Sequence, residues 1–165
     1  MSYVSNHLNE SGDVYANAKM AYSIGAILVG ISIRFVFRKF SIPFIIVGLT
    51  LLTTIIFFVL FSFKSVLIMF AMILLLGIAN AGTRIARITY LFKNVPNQFF
   101  GRAGSVFFLW NVVIRVILMA IFSIAFFQTG NNIIYAYLIL SIILLTSSIL
   151  LIIHYKSFDL SLDSE

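Results

Sequence analysis

The chain has 165 residues, of which 62% are hydrophobic and only 10% are charged, and its mean hydropathy is +1.12. Soluble domains carry about 25% charged residues and under about 50% apolar ones, so this composition excludes an ordinary soluble globule and indicates an integral membrane protein. The net charge of +6 does not predict a nucleic-acid partner, because most of the basic residues lie in two short clusters between hydrophobic runs. Clusters of this kind orient membrane proteins.

Five apolar runs are long enough to cross a hydrocarbon core, which takes about 20 helical residues. The runs are continuous rather than alternating, which favours helices over a barrel, and the predicted fold class is all-α integral membrane. The predicted spans are residues 17–36, 43–63, 65–90, 104–127 and 132–153. They form one transmembrane domain over residues 17–156, between a tail at 1–16 and an acidic tail at 157–165. We expect one long internal connection, at residues 91–103.

The short loops predict the orientation of the spans in the membrane. The basic residues of two alternate loops and the helix ends beside them are Arg34, Arg38, Lys39, Arg84, Arg87, Lys93 and Arg102. The loops on the other side contain Lys64 and the uncharged residues 128–132. Because Lys and Arg are enriched in cytoplasmic loops, we expect a multi-pass protein of the cell membrane with its N-terminus outside and its C-terminus in the cytoplasm.

The placement of the acidic residues argues against an enzyme. Between Val14 and Phe158 the sequence has no Asp, Glu or Cys, and His154 is the one histidine there. Acid–base, nucleophilic and metal chemistry all depend on such residues. We therefore expect no catalytic residue, no metal and no cofactor.

A first motif lies at the end of the first span and in the loop that follows, residues 25–39. It resembles a degenerate copy of the cytoplasmic signature of the major facilitator superfamily of secondary transporters, a glycine-led helix end followed by Asp-Arg-x-Gly-Arg-Arg/Lys. Gly30, Arg38 and Lys39 match that signature. Arg34 stands at its acidic position, so the match is partial, and Phe35 and Phe37 replace the next basic residue and the loop glycine.

A second motif lies in residues 94–105, where Pro96, Gly101 and Arg102 resemble the Val-Pro…Arg-Gly-Arg…Ser segment before the eleventh helix of many bacterial drug exporters of this superfamily. The order of short and long loops is also similar. Aligned in this way, the five spans resemble helices eight to twelve of a twelve-helix transporter.

The resemblance implies a partial transporter. Such proteins bind substrate between two six-helix halves near the bilayer midplane, and this chain would lack the N-terminal half and the seventh helix. It implies a truncated or split exporter of a drug or another small solute, inactive without the missing half or an equivalent partner. The alternative is a stand-alone five-helix accessory subunit of the lipid bilayer, without transport activity.

Arg115 is the sharpest candidate for function. It lies about eleven residues into the fourth predicted span, near the bilayer centre, and Asn111 lies one turn earlier on the same face. A charge inside a membrane is costly and marks function by default. Its partner is a carboxylate of a missing half or partner, an anionic group of a substrate, or backbone carbonyls and cavity water.

Other candidates lie on the first, third and fourth spans. Asn80 either forms a packing contact with a neighbouring helix or lines the same cavity as Arg115. Trp110 either lines the cavity or belongs to the aromatic belt at the interface. Small residues allow helices to approach closely, so we expect helix packing at Gly25, Gly77 and Gly82.

Overall fold

A computed structural model describes residues 12–128 and 132–159, together with Val4 and Leu8. The helices are α1 (Gly12–Phe37), α2 (Ile42–Ser62), α3 (Val66–Asn94), α4 (Asn97–Phe122), the short α5 (Ala125–Gln128) and α6 (Ile133–Asp159). No strand occurs in the described part of the chain. Five of the helices are long and apolar enough to cross a membrane, so the predicted all-α class with five candidate spans is confirmed.

The predicted long connection at residues 91–103 is wrong. α3 continues to Asn94 and α4 begins at Asn97, which leaves Val95 and Pro96 as the junction. The prediction failed because hydropathy marks the apolar core of a span, whereas the helical backbone continues into the polar residues beyond it. Pro96 sets the junction, since proline has no N–H to donate and the residue before it is driven to extended geometry. Val95 is extended, at φ −109° and ψ 124°.

The other boundaries also differ from the prediction. α1 begins at Gly12, five residues before the predicted start, and α4 ends at Phe122 rather than at residue 127. α6 continues to Asp159, so the first three residues of the predicted acidic tail are helical. Residues 160–165 and most of residues 1–11 lie outside the described residues.

Four helices pack side by side in the order α1, α3, α2, α6. α1 and α3 run in the same direction, because Gly25 lies against Leu74 and Ile78, and Val29, further along α1, lies against Gly82, further along α3. α2 and α6 run in opposite directions: Phe57 lies beside Tyr137, and Thr54 lies beside Ser141. The helix directions therefore alternate along the chain.

This alternation gathers seven basic residues at one end of the molecule, which we call the basic end. Its residues are Arg34, Arg38, Lys39, Arg84, Arg87, Lys93 and Arg102. Lys19 and Lys64 lie at the other end, which we call the outer end because the sequence predicts that it faces outside. The buried core cluster lies toward the outer end and includes Val4, Leu8, Ala18, Ile56, Leu60 and Met69.

α4 stands apart from this packing. None of its residues is buried, and its main contact is with α3. That contact is close to the Val95–Pro96 junction, where the rings of Phe92 and Phe100 stack with centroids 4.0 Å apart. Beyond this contact, most residues of α4 are exposed.

Candidate functional site

One face of α4 contains small and polar residues, which we call the polar stripe: Gly101, Gly104, Asn111 and Arg115. Successive residues turn by about 100° around a helix, so these four positions lie within one narrow sector of α4. Val106, Val113 and Ile117 lie on the opposite side, and Trp110 lies well away from Arg115. Phe108 and Met119 share the sector of the stripe and are exposed, so this face of α4 is small or polar at four positions and apolar between them.

Neither polar side chain of the stripe has a partner among the described residues. Asn111 and Arg115 are exposed, and no hydrogen bond or ion pair in the described part of the chain involves either of them. A Cβ placed on Gly101 or Gly104 would meet nothing within 4 Å. Three of the stripe residues are exposed and Gly104 is half-buried.

Arg115 lies closer to the end of its helix than the sequence predicts. α4 ends at Phe122, seven residues further on, which is about 10 Å along the axis. The Cα–Cβ bonds of a helix tilt toward its N-terminus, so the guanidinium leans toward Asn111 and the basic end. Snorkelling to the nearer, outer end is therefore disfavoured.

The acidic residues lie far from the stripe in the sequence and close to the two ends of the chain. Asp13 lies in the first turn of α1, and Asp159 is the last residue of α6. The other three acids lie outside the described residues. Among the described residues, no group of His, Cys, Asp and Glu could hold a metal ion. Beyond Arg102, Arg115 is the one charged residue of α4.

Asn80 occupies a different environment, at the contact between α1 and α3. Its Nδ2 donates a hydrogen bond of 2.8 Å to the hydroxyl of Tyr22. The two backbones touch at this level: a Cβ on Gly25 would overlap the carbonyl oxygen of Leu74, and one on Gly77 would overlap that of Tyr22. Glycine is therefore required at both positions of the crossing.

Gly82 lies further along the same contact. A Cβ there would meet the side chain of Leu49 at 2.8 Å and that of Val29 at 3.4 Å. Since the obstacle is a flexible side chain rather than backbone, this position is tight but less strictly limited to glycine. All three glycines of the packing hypothesis thus lie at helix contacts.

A pocket of about 260 Å³ opens near the outer end, between α1, α2, α3 and α6. Its polar lining residues are Tyr15, Lys19, Tyr22 and Tyr137. The Lys19 ammonium lies 4.7 Å from the centroid of the Tyr15 ring, within the range of a cation–π contact. Sequence reasoning missed this pocket because four helices contribute to it. The available signal was the pair of tyrosines, Tyr15 and Tyr22, two turns apart on α1.

The residues of the two loop motifs lie at the basic end and are exposed. Gly30 has no neighbour within 4 Å of an added Cβ. Arg34 is in the last turn of α1, and Arg38 and Lys39 follow in the turn before α2. Pro96, Gly101 and Arg102 are exposed at the start of α4. Both motifs are therefore accessible to another polypeptide or to lipid headgroups.

The four predicted cavity residues do not form one cluster. Asn111 and Arg115 share the polar stripe, whereas Asn80 is engaged with Tyr22 at the α1–α3 crossing. Trp110, with 60% of its surface exposed, is on another side of α4. The polar stripe is therefore the part of the predicted site that the fold brings together.

Comparisons with protein-family models, with curated proteins and with solved structures found no match for this chain.

Proposed function

We propose that this chain is part of a secondary transporter of the major facilitator type, which exports a drug or another small solute and is completed by further transmembrane helices. The observation that carries the proposal is the polar stripe: an intramembrane arginine and asparagine on a helix with no buried residue. Arginine at mid-membrane costs about 2.5–3.5 kcal/mol. Arg115 imposes this cost on α4 and has no partner among the described residues, and such a helix is suited to line a cavity shared with another helix bundle.

The arrangement of the helices supports the same proposal. Secondary transporters bind their substrates near the bilayer midplane between two bundles. Here α1, α2, α3 and α6 form a packed bundle, and α4 lies outside it with Asn111 and Arg115 exposed. The two loop motifs at the basic end are where the resemblance to the superfamily lies.

The absence of carboxylates from the sequence between Val14 and Phe158 restricts the coupling mechanism. If transport is driven by protons, the carboxylates that carry them belong to the other part of the transporter. We therefore propose that this chain alone does not catalyse proton-coupled transport and acts as neither an enzyme nor a metalloprotein.

Transport can be tested in inverted vesicles from the cells that carry the gene. We expect energised vesicles to accumulate at least one of a panel of neutral, cationic and anionic fluorescent dyes, and deletion of the gene to abolish this accumulation. Arg115→Ala should reduce the rate, while Val113→Ala, on the opposite face of α4, should leave it unchanged. Equal accumulation with and without the gene for every dye would favour the accessory-subunit alternative.

The purified chain provides the complementary test. Liposomes that contain it alone should show no accumulation driven by a proton gradient. Robust transport by the chain alone would contradict the partial-transporter proposal, and wild-type rates in both Arg115→Ala and Arg115→Lys would contradict a cavity role for Arg115.

For the orientation, we propose that the basic end faces the cytoplasm of a cell membrane and the N-terminus lies outside. The sequence has no cysteine, so single cysteines can be labelled without background. A membrane-impermeant maleimide should label Lys64→Cys in intact cells and Gln98→Cys only after permeabilisation. The reverse pattern would overturn this orientation.

A further inference from the structure

We infer that the polar stripe of α4 docks a transmembrane helix that carries an Asp or Glu side chain level with Arg115. This inference names the partner of the stripe. It rests on the proposed function for one point, that a further transmembrane helix lies against α4. It would hold equally for a partner helix in an accessory complex.

Charge complementarity sets the chemistry of the partner. Arg115 is exposed on α4, and Asp13, the carboxylate that the structure describes, lies in the first turn of α1. Intramembrane arginines pair with opposite charges or with backbone carbonyls and face a protein interior or a water-filled cavity. A carboxylate matches the planar guanidinium through two parallel hydrogen bonds, and the amide of Asn111, one turn away, can donate a further hydrogen bond to it.

The shape of the stripe favours a helix over a small solute. Gly101 and Gly104 lie on the same face as Arg115, with nothing within 4 Å of an added Cβ. Small residues let a second helix approach closely. A small carboxylate would neutralise Arg115 but would leave the remainder of a helix of 26 residues without contacts.

A second copy of this chain does not fit the stripe. A symmetric contact would bring two Arg115 side chains together, and α4 has no acidic residue to separate them. A lipid headgroup is also a poor match at this depth, because the guanidinium leans away from the nearer helix end. The partner is therefore a different helix with an intramembrane acid.

A binding experiment can use Trp110, the one tryptophan of the sequence, as a fluorescence donor on α4. The full-length chain is reconstituted in phosphatidylcholine vesicles at mildly alkaline pH. The probes are three dansyl-labelled Leu–Ala transmembrane peptides that have Glu, Gln or Leu at the central position. We expect the Glu peptide to bind about tenfold more tightly than the Gln peptide, and the Leu peptide to define the background.

Variants of the chain identify the residue responsible. Arg115→Leu should lower binding of the Glu peptide to the level of the Gln peptide, and Arg115→Lys should retain part of the preference. Arg102→Leu is the matched control, since it removes an arginine from the end and the other side of the same helix. It should keep the preference, and circular dichroism should show native helicity in all three variants.

Three results would overturn the inference. The first is equal binding of the Glu and Gln peptides to the wild-type chain. The second is a preference for the Glu peptide that survives Arg115→Leu. The third is loss of that preference when free benzoate or phosphatidylglycerol is added. The last result would assign the stripe to a free carboxylate or to lipid. No transport is measured here, so loss of the Glu preference and loss of dye transport are separate outcomes.

Discussion

In the packed bundle of α1, α2, α3 and α6, hydrogen bonds from polar side chains join one helix to another, whereas Asn111 and Arg115 on α4 have no partner among the described residues. Asn80 donates to Tyr22 across the α1–α3 contact, and the hydroxyl of Ser141 donates across α2 and α6 to the carbonyl oxygen of Thr54, at 3.3 Å. Asn111 and Arg115 have no such bond. The bundle thus contains polar contacts between its helices, while Asn111 and Arg115 of α4 are left for a neighbour.

Close backbone contact separates the same two regions. Gly25 and Gly77 bring α1 and α3 together until a single methyl group would overlap a carbonyl oxygen. Gly101 and Gly104 on α4 have free space around them. The same residue type thus stabilises a contact within the bundle and leaves a surface open on α4, and only the neighbouring helix distinguishes the two cases.

The largest effect should come from replacing Arg115 in an isolated α4 span. Arg115→Leu should improve the apparent free energy of insertion of residues 97–122 by about 3 kcal/mol, because a central arginine is replaced by an apolar residue. A translocon insertion assay, in which glycosylation of flanking acceptor sites reports the topology, measures this value directly.

Arg102→Leu is the control for that experiment. Arg102 lies near the start of α4, so its replacement should change insertion by much less than that of Arg115. Equal effects of the two substitutions would place Arg115 at the membrane interface and would remove the contrast between α4 and the bundle.

The second effect concerns the α1–α3 crossing. Gly77→Val should destabilise the bundle by about 2 kcal/mol, since the added atoms meet the backbone of Tyr22, which cannot move aside as a flexible side chain would. Unfolding in mixed detergent micelles, followed by near-ultraviolet circular dichroism of the tyrosines, reports the loss of tertiary packing.

Gly104→Val is the matched control, with the same change of residue on α4. Nothing lies within 4 Å of its added Cβ, so the cost should stay below about 1 kcal/mol. Equal destabilisation by the two substitutions would show that α4 is packed as tightly as the α1–α3 contact.

Hydropathy and charge were sufficient to predict the number of helices but not where each helix ends. The five apolar runs correspond to α1, α2, α3, α4 and α6. The connection at residues 91–103 was placed wrongly because polar residues such as Lys93, Asn94 and Gln98 continue the helices beyond the apolar core. Hydropathy reports the transfer of side chains into lipid, which says little about backbone geometry in water.

The candidate site was predictable only in the part that lies on one helix. The spacing of Asn111 and Arg115 fixes their common face, whatever the other helices do. The partner of Asn80 could not be read in the same way, because Tyr22 is far away in the sequence and meets Asn80 only where Gly25 and Gly77 let α1 and α3 touch. Contacts of this kind depend on helix pairing, which one sequence does not specify.

The smallest effect should come from the Asn80–Tyr22 hydrogen bond. Hydrogen bonds between transmembrane helices contribute about 0.6 kcal/mol on average, so Tyr22→Phe and Asn80→Leu should each destabilise the bundle by roughly this amount. The double variant should cost less than the sum of the two single variants, because both remove one bond. Asn111→Leu, the same change on α4, should cost nothing, since no partner is lost within the described part of the chain. Additive effects of the first two substitutions would show that Asn80 and Tyr22 are not coupled. A cost for Asn111→Leu as large as that for Asn80→Leu would remove the difference in stability between the bundle and α4.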